Sequence, residues 1–162
     1  MPETYQIILA DNYAALRSEL KSILVNSGEF LIAGEARDGF DILNLLNRGV
    51  VPDALVLDLM MPGMSGIEAL EEIRRRRFDF KVLVLTLHKE PDLLCRSFQA
   101  GADGYMLKDG IAKELVAALR AVLGHKVYLS PFMKKELPEA CRIKSFAGHK
   151  AAPDIVHCGK NS

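Results

Sequence analysis

Five polar residues of the sequence stand at or directly after apolar, strand-like runs, and their types suit phosphoryl-group chemistry. They are Asp11 and Asn12 after the first run, Asp58 after the third, Thr86 at the end of the fourth and Lys108 after the fifth. Carboxylate and amide oxygens are hard ligands that suit Mg²⁺. A carboxylate can also act as a nucleophile and form an aspartyl-phosphate, while a lysine ammonium neutralises phosphoryl oxygens. The set therefore indicates a magnesium-dependent phosphoryl site, provided that the fold brings the residues together.

Each of these residues has an ordinary structural explanation when it is considered alone. A single Asp after a strand is usually a turn residue or a helix cap, and a single Lys is usually a solvated surface residue. A single Thr is a common strand residue. The coincidence of five chemically matched residues at four strand ends favours a shared site over five independent structural roles.

The elements that must position these residues alternate between two periodicities. Segments with helical spacing of apolar residues separate five apolar, β-rich runs, which are Tyr5–Ala10, Phe30–Ala33, Ala54–Leu57, Lys81–Thr86 and Gly104–Leu107. A fivefold β-α alternation predicts an α/β fold with a parallel sheet and helices on both faces. Ligands of such open sheets bind at the carboxyl ends of the strands, where all five polar residues stand.

Local signals predict several helix ends. Ser65 and Glu68 have the spacing of a capping box and predict the start of the third helix. Pro91 and Gly101 predict the start and the end of the fourth helix, and Gly124 predicts the end of the fifth. The run of four arginines at 74–77 is interpreted as the solvated end of the third helix, because cations are favourable near a helix C-terminus.

Composition favours a globular cytoplasmic protein. The 162 residues are 49% hydrophobic and 26% charged, and no apolar run has the length of a membrane span. The N-terminus lacks the basic flank and apolar stretch of a signal peptide. The three cysteines are irregularly spaced and predict reduced thiols rather than a disulfide framework. Residues 1–125 carry 14 Lys and Arg against 18 Asp and Glu, which disfavours nucleic-acid binding by this part.

The sequence predicts one domain over residues 1–125. Residues 126–162 are expected to form a connector with one short helix, followed by a poorly ordered tail. Four residues of the tail are potential zinc ligands, namely Cys141, His149, His157 and Cys158, but their spacing fits no paired-ligand pattern. A zinc site is therefore not predicted.

The chain resembles the receiver domain of two-component response regulators, in the LuxR/NarL-type subgroup. The resemblance rests on ILADN (8–12), PDALVLDLMMPGMSGIEAL (52–70), VLVLTLH (82–88) and GADGYMLKDGIAKELVAALRAVLGHKVYLSP (101–131). It implies a flavodoxin-like (CheY-like), doubly wound sheet of five parallel strands in the order 2-1-3-4-5 with helices on both faces. This fold agrees with the alternation of strands and helices.

The resemblance also implies roles for the residues at the strand ends. Asp58 would be the phosphoacceptor, to which a sensor histidine kinase donates the phosphoryl group. The implied ligands of Mg²⁺ are Asp11, Asn12, Asp58 and the backbone carbonyl of Met60. A protein of this kind would be a signalling phosphoacceptor in a phosphorelay, most often for transcription regulation, and would catalyse only its own phosphorylation and dephosphorylation.

Two further residues would respond to the phosphoryl group, and Lys108 would contact it directly. Thr86 would be the switch hydroxyl that moves toward the phosphoryl group, and the rotamer of Tyr105 would follow it. Ala117, Ala118 and Ala121 of the fifth helix suggest a homodimer face together with the first helix, with simple packing of these residues on the sheet as the alternative.

Three departures from the family pattern are visible. Asn12 stands where the family has a second acidic residue, so weaker Mg²⁺ binding is expected. Leu87 is bulkier than the small residue that many receivers have there, and it is expected to crowd the phosphoryl pocket. The chain shows no helix-turn-helix after its connector, so as given it is not expected to bind DNA specifically.

Two other functions stay open at this level. A receiver that acts independently of phosphorylation, as a protein-binding or dimerisation module, is suggested by Asn12 and Leu87. A haloacid-dehalogenase-like phosphatase also uses an aspartyl nucleophile after a strand, but it needs a second Asp two residues later, and that position is Met60.

Overall fold

The computed structural model describes residues 4–136 and the backbone of residues 155 and 156. The strands within these residues are β1 (Tyr5–Ala10), β2 (Phe30–Ala36), β3 (Ala54–Asp58), β4 (Lys81–Thr86), β5 (Gly104–Leu107), β6 (Val127–Leu129) and β7 (Ile155–Val156). The helices are α1 (Ala14–Asn26), α2 (Gly39–Asn47), α3 (Gly66–Arg75), α4 (Pro91–Ala100), α5 (Ile111–Leu123) and α6 (Pro131–Glu136). No helix in this part of the chain is long and apolar enough to span a membrane.

All strand pairs are parallel, and the sheet order is β2-β1-β3-β4-β5-β6-β7. Helices α1 and α5 cover one face of the sheet, while α2, α3 and α4 cover the other, each with its own apolar layer. Strand β3 is buried along its whole length, as a central strand covered on both faces must be. The α/β fold with helices on both faces is thus confirmed.

The predicted helix ends at α3, α4 and α5 are confirmed. Ser65 accepts a hydrogen bond from the backbone of Glu68, whose carboxylate in turn accepts one from the Ser65 amide, which completes a capping box. Pro91 is the first residue of α4, and Gly101 ends that helix with a φ of 114°, a conformation that glycine adopts without strain. Gly124 caps α5.

The prediction of a five-stranded sheet is wrong for the described residues, because two further strands extend the predicted order 2-1-3-4-5. Val127–Leu129 pairs with β5, and Ile155–Val156 pairs with β6. The first of these is an apolar run with an aromatic residue, which suits a strand, but it is only three residues long. The second has just two residues, too few for periodicity to be detected in the sequence.

The segment after residue 125 contains the expected short helix, which is α6. The division into a domain at 1–125 and a separate connector stays a prediction, although β6 continues the same sheet. The expectation of a poorly ordered tail lies outside the described residues, apart from residues 155 and 156, which form β7. The four potential zinc ligands of the tail also lie outside them.

The prediction of reduced thiols is wrong for Cys95 on α4, which is disulfide-bonded. Cysteine spacing carries no information on which residues approach each other in the fold, so it cannot exclude a single bridge.

Arg74 contradicts the prediction that the four arginines at 74–77 form a solvated cluster. Its guanidinium donates to the carbonyls of Phe78 (2.9 Å), Phe80 (2.8 Å) and Gly101 (2.9 and 3.1 Å), and it pairs with Asp103 at 3.0 Å. These groups lie on the connections that enter β4 and β5. Arg74 therefore fastens α3 to the amino ends of the two strands that carry Thr86 and Lys108 at their other ends.

We predict that Arg74→Ala lowers the free energy of unfolding by roughly 2–4 kcal/mol, because three carbonyls and the Asp103 carboxylate lose a shared donor. Arg75→Ala is the matched control, since that side chain is exposed and pairs only with Glu72 among the described residues, and a much smaller change is expected. Urea denaturation of both variants measures the difference. Equal losses would contradict the structural role of Arg74.

Candidate functional site

The register of β1 against β3 brings the first two acidic residues together. The ladder runs up to the pair Ala10–Leu57, directly before Asp11 and Asp58. Both carboxylates are nearly inaccessible to solvent, with 1% and 3% of the residue exposed. Two buried carboxylates at one sheet edge repel each other and lose hydration, so the site requires a cation.

The two other predicted side chains stand on the next strands. Asp58 pairs with Leu85, the residue before Thr86, and Thr86 pairs with Leu107, the residue before Lys108. The strand register therefore brings Asp11, Asp58, Thr86 and Lys108 to the carboxyl edge of the sheet, as predicted.

Lys108 supplies a cation to the two carboxylates. Its Nζ lies 2.8 Å from Asp11 Oδ2 and 3.5 Å from Asp58 Oδ2, and only 10% of its side chain is exposed. At these distances and this burial, the attraction is much stronger than that of a surface ion pair. The solvated-surface explanation for Lys108 is thus excluded.

The attraction of Lys108 does not fully offset the burial of the Asp58 carboxyl. Burial raises the pKa of the Asp58 carboxyl above its ordinary value, and this effect exceeds the opposing attraction of Lys108. The nearby Asp11 charge raises the pKa further, whereas the Met60 amide, which donates to Asp58 Oδ1 at 3.3 Å, lowers it. An added positive charge at the site would favour the carboxylate.

The chemistry of the free oxygens fits a hard cation. Asp11 Oδ1 accepts from the Tyr13 amide at 2.9 Å, whereas Asp11 Oδ2 and Asn12 Oδ1 are buried and have no hydrogen-bond partner among the described residues. The Lys108 contact at Asp11 Oδ2 is therefore an ion pair without an aligned hydrogen bond. Buried oxygens without donors are what a divalent cation with oxygen ligands would satisfy.

The described part of the chain contains no cluster of three His, Cys, Asp or Glu side chains suited to a metal. The donor set at this edge is instead two carboxylates and the Asn12 amide. The part expected of the Met60 carbonyl stays a prediction, because the contact observed for this residue is that of its amide.

Thr86 and Tyr105 meet at one residue of the loop after β4. Thr86 Oγ1 accepts from the His88 amide at 3.1 Å, and the Tyr105 hydroxyl donates to the His88 carbonyl at 2.9 Å. Both side chains are fully buried, and burial raises the pKa of the Tyr105 phenol. Leu87, which was expected to crowd the site, is 69% exposed and lies mostly in solvent.

Gly66 was not identified from the sequence, although it determines how α3 begins beside Asp58. Its amide donates to the Leu59 carbonyl at 3.0 Å. A Cβ at this position would lie 2.4 Å from the Asp58 carbonyl oxygen and 2.7 Å from Leu59 Cα. The helix can start against the end of β3 only because residue 66 lacks a side chain.

Arg17 was also not identified. Its guanidinium donates to the Asp11 carbonyl and pairs with Glu35 at 3.1 Å, so α1 fixes the backbone of the first acidic residue. Nothing in the sequence around Arg17 indicates this contact, since the acceptor is a backbone carbonyl and every residue has one.

Comparison with known proteins gives a consistent result. The sequence profile of the response regulator receiver domain matches residues 7–120. The response regulator GacA of Pseudomonas aeruginosa is 33% identical over 141 residues, which are 87% of this chain and 64% of that protein. The transcriptional regulatory protein YdfI of Bacillus subtilis is 31% identical over 134 residues, 83% of this chain and 62% of that protein. The chain thus spans slightly less than two thirds of the length of these relatives.

Solved structures give the same result. The LuxR-family two-component response regulator from Aurantimonas sp. SI85-9A1 superposes with a TM-score of 0.80 at 30% identity, over 85% of this chain and 98% of that chain. The receiver domain of the putative response regulator NarL from Mycobacterium tuberculosis superposes with a TM-score of 0.73 at 31% identity, over 77% and 100%.

The raised pKa of Asp58 predicts how stability depends on pH. Between the unfolded pKa of about 4 and the higher folded pKa, the folded state binds more protons than the unfolded state, so a rise in pH through this window lowers the free energy of unfolding. Asp58→Asn lacks this loss, and we expect its stability relative to the wild type to increase from pH 4 to pH 7 in metal-free buffer. Urea denaturation at several pH values measures the difference, and a difference independent of pH would contradict the prediction.

Proposed function

Because the chain belongs to the receiver domain family of two-component response regulators, we propose that it accepts a phosphoryl group on Asp58 from a sensor histidine kinase. The observation that carries the proposal is the buried contact of Lys108 with both Asp11 and Asp58 at the carboxyl edge of the sheet. Receiver domains act as phosphoacceptors rather than as classical enzymes. The proposal assigns this role to one named carboxylate.

The transfer needs an ionised nucleophile and a sheltered site. An Asp58 oxygen attacks phosphorus, the P–N bond to the kinase imidazole breaks, and the electron pair leaves with the ring nitrogen, which takes up a proton. Lys108 favours the ionised form of Asp58 and stands beside the position where phosphoryl oxygens gain charge. Burial of Asp58 limits access of competing water. Little further machinery is required, since positioning and charge neutralisation account for most of the catalysis of phosphoryl transfer.

Asp11, Asn12, Asp58 and the Met60 carbonyl would hold Mg²⁺. When bound, this ion neutralises phosphoryl oxygens as a Lewis acid. Asp11 Oδ2, which accepts no hydrogen bond and contacts only the Lys108 ammonium among the described residues, and Asn12 Oδ1, which has no hydrogen-bond partner there, support this assignment. Since Asn12 contributes an oxygen without a full charge, the affinity of the site for Mg²⁺ is lower than that of a site with three carboxylates.

Thr86 and Tyr105 would convert phosphorylation into a change of surface. If the Thr86 hydroxyl turns toward the phosphoryl group, it loses the hydrogen bond that it accepts from the His88 amide. The loop from His88 to Glu90 would then rearrange, and it carries with it the carbonyl to which Tyr105 donates. The shift reaches the surface formed by α4, β5 and α5.

The output proposed for this signal is transcription regulation, in line with the names of the relatives. The part of the chain over residues 1–125 has an excess of acidic residues, so broad electrostatic binding of nucleic acid by this part is not expected. The site of action is proposed to be the cytoplasm, where histidine kinases present their phosphorylated domains.

A homodimer through α1 and α5 stays part of the proposal, but its face on α5 includes fewer of the three alanines than the sequence suggested. Ala118 and Ala121 are buried within the protein's own core, with 0% and 8% exposed, whereas Ala117 lies on the exposed side of the helix. A dimer face on α5 therefore consists of Ala117 and its exposed neighbours rather than of the whole alanine set.

We predict that the full chain, incubated with acetyl phosphate and Mg²⁺, gains the mass of one phosphoryl group. Intact-mass spectrometry measures the gain. Asp58→Asn should remove it, because the nucleophile is lost, while Asp109→Asn should retain it, because that exposed carboxylate lies outside the site. No gain in folded wild-type protein would overturn the proposal and would favour a module that acts independently of phosphorylation.

Replacing Asn12 by Asp is predicted to increase the affinity for Mg²⁺ by about tenfold, equivalent to about 1.4 kcal/mol, because a full charge replaces an amide dipole. Isothermal titration calorimetry provides the measurement. Asn44→Asp adds the same charge on the exposed side of α2 and serves as the control. An equal increase in both variants would show that net charge, rather than ligation by residue 12, controls the affinity.

A further inference from the structure

Ser130 lies between β6 and α6, outside the residues assigned to the site, yet it is 98% buried. Its Oγ accepts a hydrogen bond from the Leu107 amide at 2.9 Å and donates one to Glu114 Oε1 at 3.0 Å. Leu107 is the last residue of β5 and directly precedes Lys108. A side chain from the connector segment therefore contacts the backbone at the residue before the lysine of the site.

The hydroxyl takes the place of a strand carbonyl. The pairing of β5 with β6 ends at Tyr105–Leu129, and the Ser130 amide donates to the Tyr105 carbonyl at 3.1 Å. The next amide on this edge of β5, that of Leu107, therefore finds its acceptor in the Ser130 side chain. Without this oxygen, a buried backbone N–H would lose its partner, which proteins rarely tolerate.

Glu114 on α5 orients the hydroxyl. A serine hydroxyl has one proton, and donation of that proton to Glu114 leaves a lone pair for the Leu107 amide. The same carboxylate oxygen accepts from the Tyr128 hydroxyl at 2.6 Å. The direction of the Ser130 hydrogen bond is thus fixed by its contact with a side chain of α5.

We propose that Ser130 is a positioning residue of the phosphorylation site, acting through the Leu107 amide on Lys108. The lysine stem is long and flexible, so the place of its ammonium between Asp11 and Asp58 depends on where the backbone directs it. Ser130 fixes the backbone from which the lysine side chain starts, because it accepts the hydrogen bond of the preceding Leu107 amide. This inference rests on the proposed function, since the role of Lys108 is to contact the phosphoryl group.

A second contact of the same segment supports the inference. The Lys89 ammonium lies 4.9 Å from the centroid of the Phe132 ring, in the first turn of α6, and forms a cation-π contact with it. Lys89 also pairs with Asp109 at 3.7 Å. Lys89 belongs to the loop that follows Thr86. The connector therefore touches the chain on both sides of the site, at Leu107 and at the loop after β4.

The experiment measures the affinity of the full chain for beryllofluoride in the presence of Mg²⁺, by ¹⁹F NMR titration, since this ion occupies the place of the phosphoryl group. Ser130→Ala is expected to weaken binding by about tenfold. Ser130→Thr, which keeps the hydroxyl, should restore binding to within about twofold. Tyr128→Phe is the matched control, because it removes the other hydrogen bond to Glu114 and leaves the Leu107 acceptor in place.

A double variant separates positioning from general stabilisation. In a Lys108→Ala background, Ser130→Ala should cause no further loss of affinity, because its effect passes through the lysine. An equal further loss, or an affinity of Ser130→Ala equal to that of Tyr128→Phe, would overturn the inference. If Ser130→Ala does not fold, Ser130→Cys takes its place, and because sulfur is a weaker acceptor, unchanged affinity in that variant would likewise overturn it.

The outcome for the wild type distinguishes the two proposals. If wild-type protein does not bind beryllofluoride, the proposed function fails and the role of Ser130 fails with it. If the wild type binds and Ser130→Ala binds equally well, the proposed function stands and only the inference on Ser130 is overturned.

Discussion

Two carboxylates buried side by side at one sheet edge are the constraint on which the rest of this structure depends. Asp11 and Asp58 are removed from water at the ends of adjacent strands, and the repulsion between them and the loss of hydration favour a nearby cation. Lys108, directly after β5, provides that cation. Lys108 does not offset the burial completely, because the pKa of the Asp58 carboxyl stays above its ordinary value.

The backbone around this cluster is held by contacts that come from far along the chain. Arg17 on α1 holds the Asp11 carbonyl, Gly66 lets α3 begin against the Asp58 carbonyl, and Ser130 holds the amide before Lys108. Each of the three charged side chains thus starts from a backbone position fixed by a different element. Such a shell is what keeps reacting groups within a productive geometry.

The sequence allowed the fold class and the convergence of Asp11, Asp58, Thr86 and Lys108 to be predicted, because both follow from local periodicity and from the rule that parallel strands end at one edge. It did not reveal Arg74, Gly66 or Ser130. Their roles consist of contacts with backbone atoms of distant segments, and a backbone carbonyl or amide looks the same at every position of a sequence. The sequence did not predict the strands β6 and β7 either, because runs of two or three residues are too short to show a hydrophobic period.

Asn12 changes the net charge of this cluster, and the change affects both the metal-free and the metal-bound site. With Asn12, the pair of carboxylates and Lys108 carry a net charge of −1, whereas the family pattern with a second acidic residue would carry −2. The metal-free site therefore contains less repulsion, and Lys108 alone compensates a larger share of it. The same reduction weakens the attraction for a divalent cation. Under the proposed function, a receiver with this residue would therefore have a more stable resting form and would depend more strongly on Lys108 to neutralise the phosphoryl group. The contacts that position this lysine would then matter more than in a site with three carboxylates.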